Sequence, residues 1–224
     1  MPAIADTAIE PPPPRYSALG AWLILAAMVG VELYIQVGAR DSANWSQFRF
    51  QMMTEYGFID RRFDAWLAGG SSQGLLGMFV TYLFVHAGPL HLAVNGALLV
   101  FVAPFLCVHI GAVRLLILFV LCGFTGGIAF GLTNDISGPL VGGSAAIMGM
   151  LWAVKYWEFR WIRYSGDHWT RYILSILFLI ALNVMMHWLS DGGVATEAHI
   201  GGGLGGILAA RFLSRNPPHG RFFL

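Results

Sequence analysis

The sequence predicts an all-α integral membrane protein, a bundle of six transmembrane helices with a long first loop at the membrane interface. Hydrophobic residues make up 57% of the 224 residues and charged residues only 11%, and the mean hydropathy is +0.65. Soluble domains are about 45–50% apolar, so this composition is typical of a chain that lies in a bilayer. The net charge of +1 gives no electrostatic reason to expect a nucleic-acid partner.

Six apolar segments approach the roughly 20 residues that a membrane-spanning helix needs. They cover residues 18–37, 89–109, 112–133, 143–157, 170–190 and 194–213. The fourth segment is short and follows a Ser-Gly-Pro sequence at 137–139, so we expect it to begin below the membrane surface, beside protein or water. The membrane domain therefore comprises residues 18–213, between a proline-rich tail, 1–17, and a second tail, 214–224.

The positions of arginine and lysine predict that both termini lie in the cytoplasm, because cytoplasmic loops carry the excess of positive charge. Nine of the 13 basic residues then lie on that side, and the rest lie in the first loop, 38–77. The nine are Arg15, Arg114, Lys155, Arg160, Arg163, Arg171, Arg211, Arg215 and Arg221. A single lysine among so many arginines favours a GC-rich bacterial genome, and hence a bacterial inner membrane.

The first loop interleaves aromatic and other apolar side chains with its charges. Its apolar members are Trp45, Phe48, Phe50, Met52, Met53, Tyr56, Phe58, Phe63 and Trp66. Aromatic side chains are enriched at membrane interfaces, so we expect the loop to lie there. A small extracytoplasmic cap that packs its own aromatic residues is the alternative, and the two arrangements can coexist.

Three polar clusters interrupt the apolar segments, and polar groups inside a membrane are costly enough to be candidate functional residues. The first contains His86, His91 and Asn95, of which the last two share a helix face. Pro89 suits the start of that helix, because its missing N–H donor is harmless there. Hydrogen bonds between neighbouring helices are the alternative explanation, and the commoner one for an isolated polar residue.

The second cluster places Ser144 at the start of a helix, directly after Gly142 and Gly143. The glycines allow a reactant to approach closely, and the unpaired amides of a helix N-terminus favour developing negative charge. A serine that merely caps the helix is the commoner explanation of this cluster taken alone.

The third cluster surrounds His199 with small residues. Ala198, Gly202 and Gly206 repeat every four positions, a spacing that lets two helices approach closely. The fourth segment offers the same spacing at Ala145 and Gly149. Packing alone explains these glycines, but it leaves His199 unexplained.

Spans two, four and six run in the same direction, so the three clusters lie at one depth near the outer surface. Serine, histidine and amide or imidazole donors are the groups that acyl transfer requires. In their order and spacing, the clusters closely resemble the motifs of the rhomboid intramembrane serine proteases. The matching patterns are His86-x4-His91-x3-Asn95, Gly142-x-Ser144 and Ala198-His199-x2-Gly202-x3-Gly206.

The resemblance implies a rhomboid-like bundle that cleaves transmembrane protein substrates without a metal or cofactor. Ser144 and His199 would form the catalytic dyad, and His91, Asn95 and the Ser144 amide would hold the oxyanion. The implied supporting residues are His86, Gly142, Gly143, Gly202 and Gly206. Glu197 stands about 200° around a helix from His199, so it cannot readily orient the imidazole as a third member.

The sequence departs from the family's pattern in three places. Ala145 stands where glycine often follows the nucleophile, Met148 where tyrosine is frequent, and Gly77 and Met78 where the first loop often has a Trp-Arg pair. These departures leave the dyad intact and concern the support of His199 and the substrate preference.

Two other functions are the alternatives. An inactive rhomboid-like protein would bind membrane helices without cutting them, although such relatives usually lack the serine or the histidine. A small transporter would place its polar groups near the membrane midplane rather than near the outer surface.

Overall fold

The computed structural model is all-helical over the residues that it describes, namely 18–40, 44–71, 73–133, 138–166, 169–189 and 195–213. The helices in these ranges are α1 (Leu19–Arg40), α2 (Trp45–Tyr56), α3 (Asp60–Leu67), α4 (Leu75–Thr81), α5 (Pro89–Ile110), α6 (Ala112–Thr133), α7 (Ser144–Ser165), α8 (Trp169–Leu189) and α9 (Thr196–Leu213). The prediction of an all-α fold is confirmed. The two predicted tails, 1–17 and 214–224, lie outside the described residues.

Four of the described helices are long and apolar enough to cross a membrane. They are α1, α5 over Pro89–Cys107, α6, and α8 over Trp169–Trp188. Helix α9 forms in the sixth predicted segment, whereas α7 covers the fourth, 143–157, and continues to Ser165, so the fourth helix is not short; neither helix is among these four. Lys155 and Glu158 reduce the apolarity of α7, and five glycines reduce that of α9.

The two less apolar helices lie in the interior of the bundle. Helix α9 packs against both α6 and α7, whereas α8 is almost entirely exposed, with 6% of its apolar span buried. A helix that is largely enclosed by protein, as α7 is, needs no continuous apolar surface, and α9 keeps one only on the side that carries Ile200, Leu204 and Leu208. Their position therefore explains why hydropathy alone does not identify α7 and α9.

Helix α9 meets α7 through backbone atoms rather than side chains. A Cβ added at Gly202 would collide with the Ala145 carbonyl, and one at Gly206 would collide with the Gly149 carbonyl. Glycine removes the side chains that keep helix axes about 8–10 Å apart. The four-residue spacing in the sequence predicts this contact, and the structure has it.

A second glycine face of α9 meets α6. Gly201 lies against the Thr125 carbonyl and the Ala129 methyl, and Gly205 lies against the Thr125 hydroxyl. The sequence analysis recognised only the face towards α7. The glycines of α9 thus serve two neighbouring helices, and α9 is held between them.

The segment between α1 and α5 is largely helical, and its aromatic side chains are partly buried and partly exposed. Phe58 is fully buried and packs edge-on against Phe79, with 5.0 Å between ring centroids, and against Phe130. Other aromatic residues of the segment stay exposed, namely Trp45, Phe50, Tyr56 and Trp66. The segment therefore has a packed aromatic core and an exposed aromatic surface.

Replacing Gly206 with alanine should destabilise the bundle, because the new methyl group would overlap the Gly149 carbonyl. Overpacking of this kind costs about 1–3 kcal/mol of the free energy of unfolding. Gly30→Ala on α1 is the matched control, since a Cβ there meets open space. Thermal unfolding in detergent micelles measures both variants. Equal midpoints would contradict close backbone contact between α7 and α9.

Candidate active site

The site lies where α5, α7 and α9 begin. Ser144 is the first residue of α7, and His199 lies in the first turn of α9. The Ser144 Oγ and His199 Nε2 atoms are 2.8 Å apart, although the two residues are 55 positions apart in the chain. Ala145 directly follows Ser144, and Gly202 lies three residues after His199. The backbone contact between Ala145 and Gly202 therefore fixes the distance between the serine and the histidine.

The other ring nitrogen of His199 faces α8. Its Nδ1 atom lies 2.6 Å from Oδ1 of Asn183. Because an amide oxygen only accepts hydrogen bonds, Nδ1 carries the proton of the neutral ring. The lone pair of Nε2 is then directed at the Ser144 hydroxyl, which is the arrangement that a general base requires.

Asn183 is the site residue that the sequence analysis missed. It stands alone in the fifth predicted segment, 170–190, and belongs to no motif. Two signals could have identified it. An amide inside an apolar span is costly, and its place in the C-terminal half of that segment is at the end that leads into the sixth segment, where His199 lies.

His91 and Asn95 approach the loop before Ser144 from α5. A Cβ added at Gly142 would lie 2.6 Å from His91 Cε1 and 3.1 Å from Asn95 Nδ2. Gly142 has a φ of +100°, a conformation that favours glycine. Its N–H donates a hydrogen bond of 2.8 Å to the Tyr82 carbonyl, which ties the loop to the end of α4.

Both α5 side chains present a hydrogen-bond donor to this loop. Asn95 is 2% exposed, and its Nδ2 has no hydrogen-bond partner among the residues that the structure describes. The Ala87 N–H donates to His91 Nδ1 at 3.4 Å, so the ring proton of neutral His91 lies on Nε2, the atom nearer to Gly142.

His86 is fully buried behind His91, and their rings pack edge-on with 5.1 Å between centroids. His86 therefore supports the site from behind the α5 face. Gly143 is also enclosed, because a Cβ there would collide with the Met28 side chain and lie 3.2 Å from the Leu83 carbonyl. Among the described residues no cluster of three or more His, Cys, Asp or Glu could hold a metal ion.

A buried ion pair holds the segment that precedes α5. Arg49 of α2 donates to both carboxylate oxygens of Glu32 of α1, at 2.7 and 3.0 Å, and to the His86 carbonyl at 2.9 Å. Its guanidinium also lies 4.9 Å from the Trp45 ring centroid. Arg49 thus connects α1 and α2 to the backbone of His86. From the sequence, Arg49 is only one basic residue of the first loop, and no pattern predicts its pairing with Glu32.

Ala145 and Met148, the departures nearest to Ser144, are both buried. The Ala145 methyl group faces Gly126 of α6, where an added Cβ would lie 2.7 Å from it. Alanine fits at position 145 because α6 has no side chain opposite. Met148 belongs to the same hydrophobic core.

These features define the class of protein as an integral helical membrane protein with a hydrogen-bonded serine–histidine pair among buried amide and imidazole groups. The model of the Rhomboid domain family matches residues 73–216, more than half of the chain. The chain therefore belongs to the rhomboid family, and the resemblance seen in its motifs is confirmed.

Similar proteins include three from Arabidopsis thaliana. RHOMBOID-like protein 1 is 30% identical over 63% of this chain and 36% of its own length. RHOMBOID-like protein 4 is 32% identical over 61% of this chain and 34% of its own length. RHOMBOID-like protein 6, mitochondrial, is 31% identical over 63% of this chain and 45% of its own length. The chain thus spans less than half the length of each of these relatives.

Replacing Arg49 with methionine should destabilise the protein by about 3–5 kcal/mol, because it leaves Glu32 buried without its partner. Thermal unfolding measures the effect, with Arg61→Met, at an exposed position of α3, as the matched control. The double variant Arg49→Met/Glu32→Met should regain much of the loss, since no unpaired charge remains. A single variant as stable as the control would contradict a structural role for the pair.

Proposed function

We propose that the protein is an intramembrane serine endopeptidase that cleaves transmembrane segments of other membrane proteins with Ser144 and His199. The 2.8 Å separation of Ser144 Oγ and His199 Nε2 is the observation that supports it most directly. A serine hydroxyl is a weak nucleophile until a neighbouring base takes its proton. Membership of the rhomboid family adds to this support.

In the proposed reaction His199 takes the Ser144 proton as Oγ attacks the carbonyl carbon of the substrate peptide bond. The protonated imidazole then gives that proton to the departing amine, which leaves an ester on Ser144. Water attacks the ester as His199 takes one of its protons, and the imidazolium returns that proton to Ser144 Oγ as the C–O bond breaks and the new carboxyl end is released. An intact substrate helix hides its carbonyls in internal hydrogen bonds, so the substrate segment must contain residues that weaken its helix.

The oxyanion of the tetrahedral intermediate would lie against the N-terminus of α7. The first four amides of a helix have no partner within the helix, so the Ser144 N–H is available there. Asn95 Nδ2 and His91 Nε2 are the side-chain donors on the α5 side of the same loop. Donors placed where negative charge develops stabilise the transition state more than the ground state.

We further propose six membrane spans, with α7 and α9 as the inner two and the exposed aromatic surface of the first loop at the interface. Both termini would lie in the cytoplasm, which the arginine distribution supports. The excess of arginine over lysine supports a bacterial inner membrane as the location. The active site would then open towards the outer side.

The orientation can be tested with reporter fusions in bacterial cells. Green fluorescent protein fused after residue 224 should fluoresce, because it folds on the cytoplasmic side. Alkaline phosphatase fused at the same position should be inactive, since it needs the oxidising side of the membrane to form its disulfides. The reverse pattern would overturn the proposed orientation.

The protease function can be tested with purified protein in detergent. A fluorophosphonate probe should label Ser144 in the wild type, and a helix-destabilised transmembrane peptide should be cut. Ser144→Ala should abolish both reactions, and His199→Ala should nearly abolish them. Ser46→Ala, at an exposed serine of α2, should change neither. Asn95→Ala should lower kcat by about 10²–10³ with little change in KM, as loss of an oxyanion donor does.

Folded wild-type protein that neither takes the probe nor cuts the peptide would overturn the protease proposal. The inactive helix-binding protein would then be the better account. Binding of the peptide without cleavage would support that account directly.

A further inference from the structure

We infer that Asn183 is a positioning residue that holds the His199 imidazole in the orientation and protonation state needed to activate Ser144. This inference rests on the proposed protease function. It assigns to a neutral amide on α8 the place that a carboxylate occupies in a catalytic triad.

The geometry supports this role because both ring nitrogens of His199 have a partner. Nε2 faces Ser144 Oγ at 2.8 Å, and Nδ1 faces Asn183 Oδ1 at 2.6 Å. Two contacts on opposite sides of the ring fix its rotation, whereas the contact with Ser144 alone would not. The acceptor on Nδ1 also excludes the tautomer whose Nε2 proton would block proton transfer from Ser144.

The hydrogen bond between Asn183 and His199 becomes stronger during the proposed reaction. When His199 takes the Ser144 proton the ring becomes a cation, and its Nδ1–H bond to the amide oxygen becomes charge-assisted. Such bonds are roughly twice as strong as neutral ones. An interaction that is stronger in the transition state than in the ground state accelerates the chemical step. A neutral amide provides it without the cost of burying a carboxylate in the bundle.

A second contact fixes the register of α8 against α9. One turn after Asn183, His187 Nδ1 lies 3.3 Å from Thr196 Oγ1. Residues four apart share one face of a helix, so a single face of α8 meets the first turn of α9. Little else of α8 is buried. The His187 contact therefore helps to hold the Asn183 amide beside His199.

The inference can be tested by measuring the rate of fluorophosphonate labelling and of peptide cleavage as a function of pH. Asn183→Leu removes the acceptor and should lower both rates about 10- to 100-fold, the range found when a metal-ligating histidine loses its orienting partner. Ser175→Ala is the matched control. It removes a different polar contact of α8, the 2.8 Å hydrogen bond from Lys155 Nζ, and should change neither rate.

Asn183→Asp separates positioning from folding, because it keeps an acceptor at the same place. It should restore most of the rate. It should also move the acidic limb of the pH profile to higher pH, since a carboxylate stabilises the imidazolium. His199 faces Ser144 of α7 and Asn183 of α8, and His91 of α5 acts on it electrostatically. The control variant, Ser175→Ala, changes none of these groups.

Two results would overturn the inference while leaving the protease function standing. One is a wild type that labels at Ser144 together with an Asn183→Leu variant that labels at the same rate. The other is an Asn183→Asp variant whose acidic limb coincides with that of the wild type. A folded wild type without any labelling would instead contradict the proposed function itself.

Discussion

Backbone contact between α9 and its two neighbours is the constraint on which the rest of the structure depends. Glycines on one face of α9 meet carbonyl groups of α7, and glycines on another face meet α6. Interiors are close-packed, so even one added methyl group must displace a helix or distort it. Ser144 and His199 lie in the first turns of α7 and α9. Any displacement of one helix relative to the other therefore changes the distance between the two side chains.

The other site residues lie on helices that pack around α7 and α9. Helix α5 contributes His91 and Asn95, and its start is held by Arg49 through the His86 carbonyl. Helix α8 contributes Asn183 from the opposite side of the imidazole. The serine and histidine thus belong to a closely packed part of the bundle. Their partners come from helices that are less deeply buried and depend on individual polar contacts.

The sequence predicts those parts of the site that depend on local spacing. His91 and Asn95 share a face because they are four residues apart, and the glycine repeat around His199 predicts a close helix contact. It does not predict the pairing of Arg49 with Glu32 or of Asn183 with His199. Those partners lie 17 and 16 residues apart on different helices, and neither pair forms a pattern along one helix. Such pairs can be identified only once the packing of whole helices is known. Glu32 and Asn183, as polar residues within apolar segments, are nevertheless detectable as unusual.

The low apolarity of α9 has a consequence for the order of assembly. This helix is not among the described helices that are apolar enough to be recognised as membrane spans, and the surfaces that accept its glycines belong to α6 and α7. Both of these helices precede α9 in the chain, so the ribosome completes them first. Of these three helices, the last to be synthesised is therefore the one that needs the others already in place. Premature termination before residue 196 would leave the matching surfaces of α6 and α7 facing lipid without their partner.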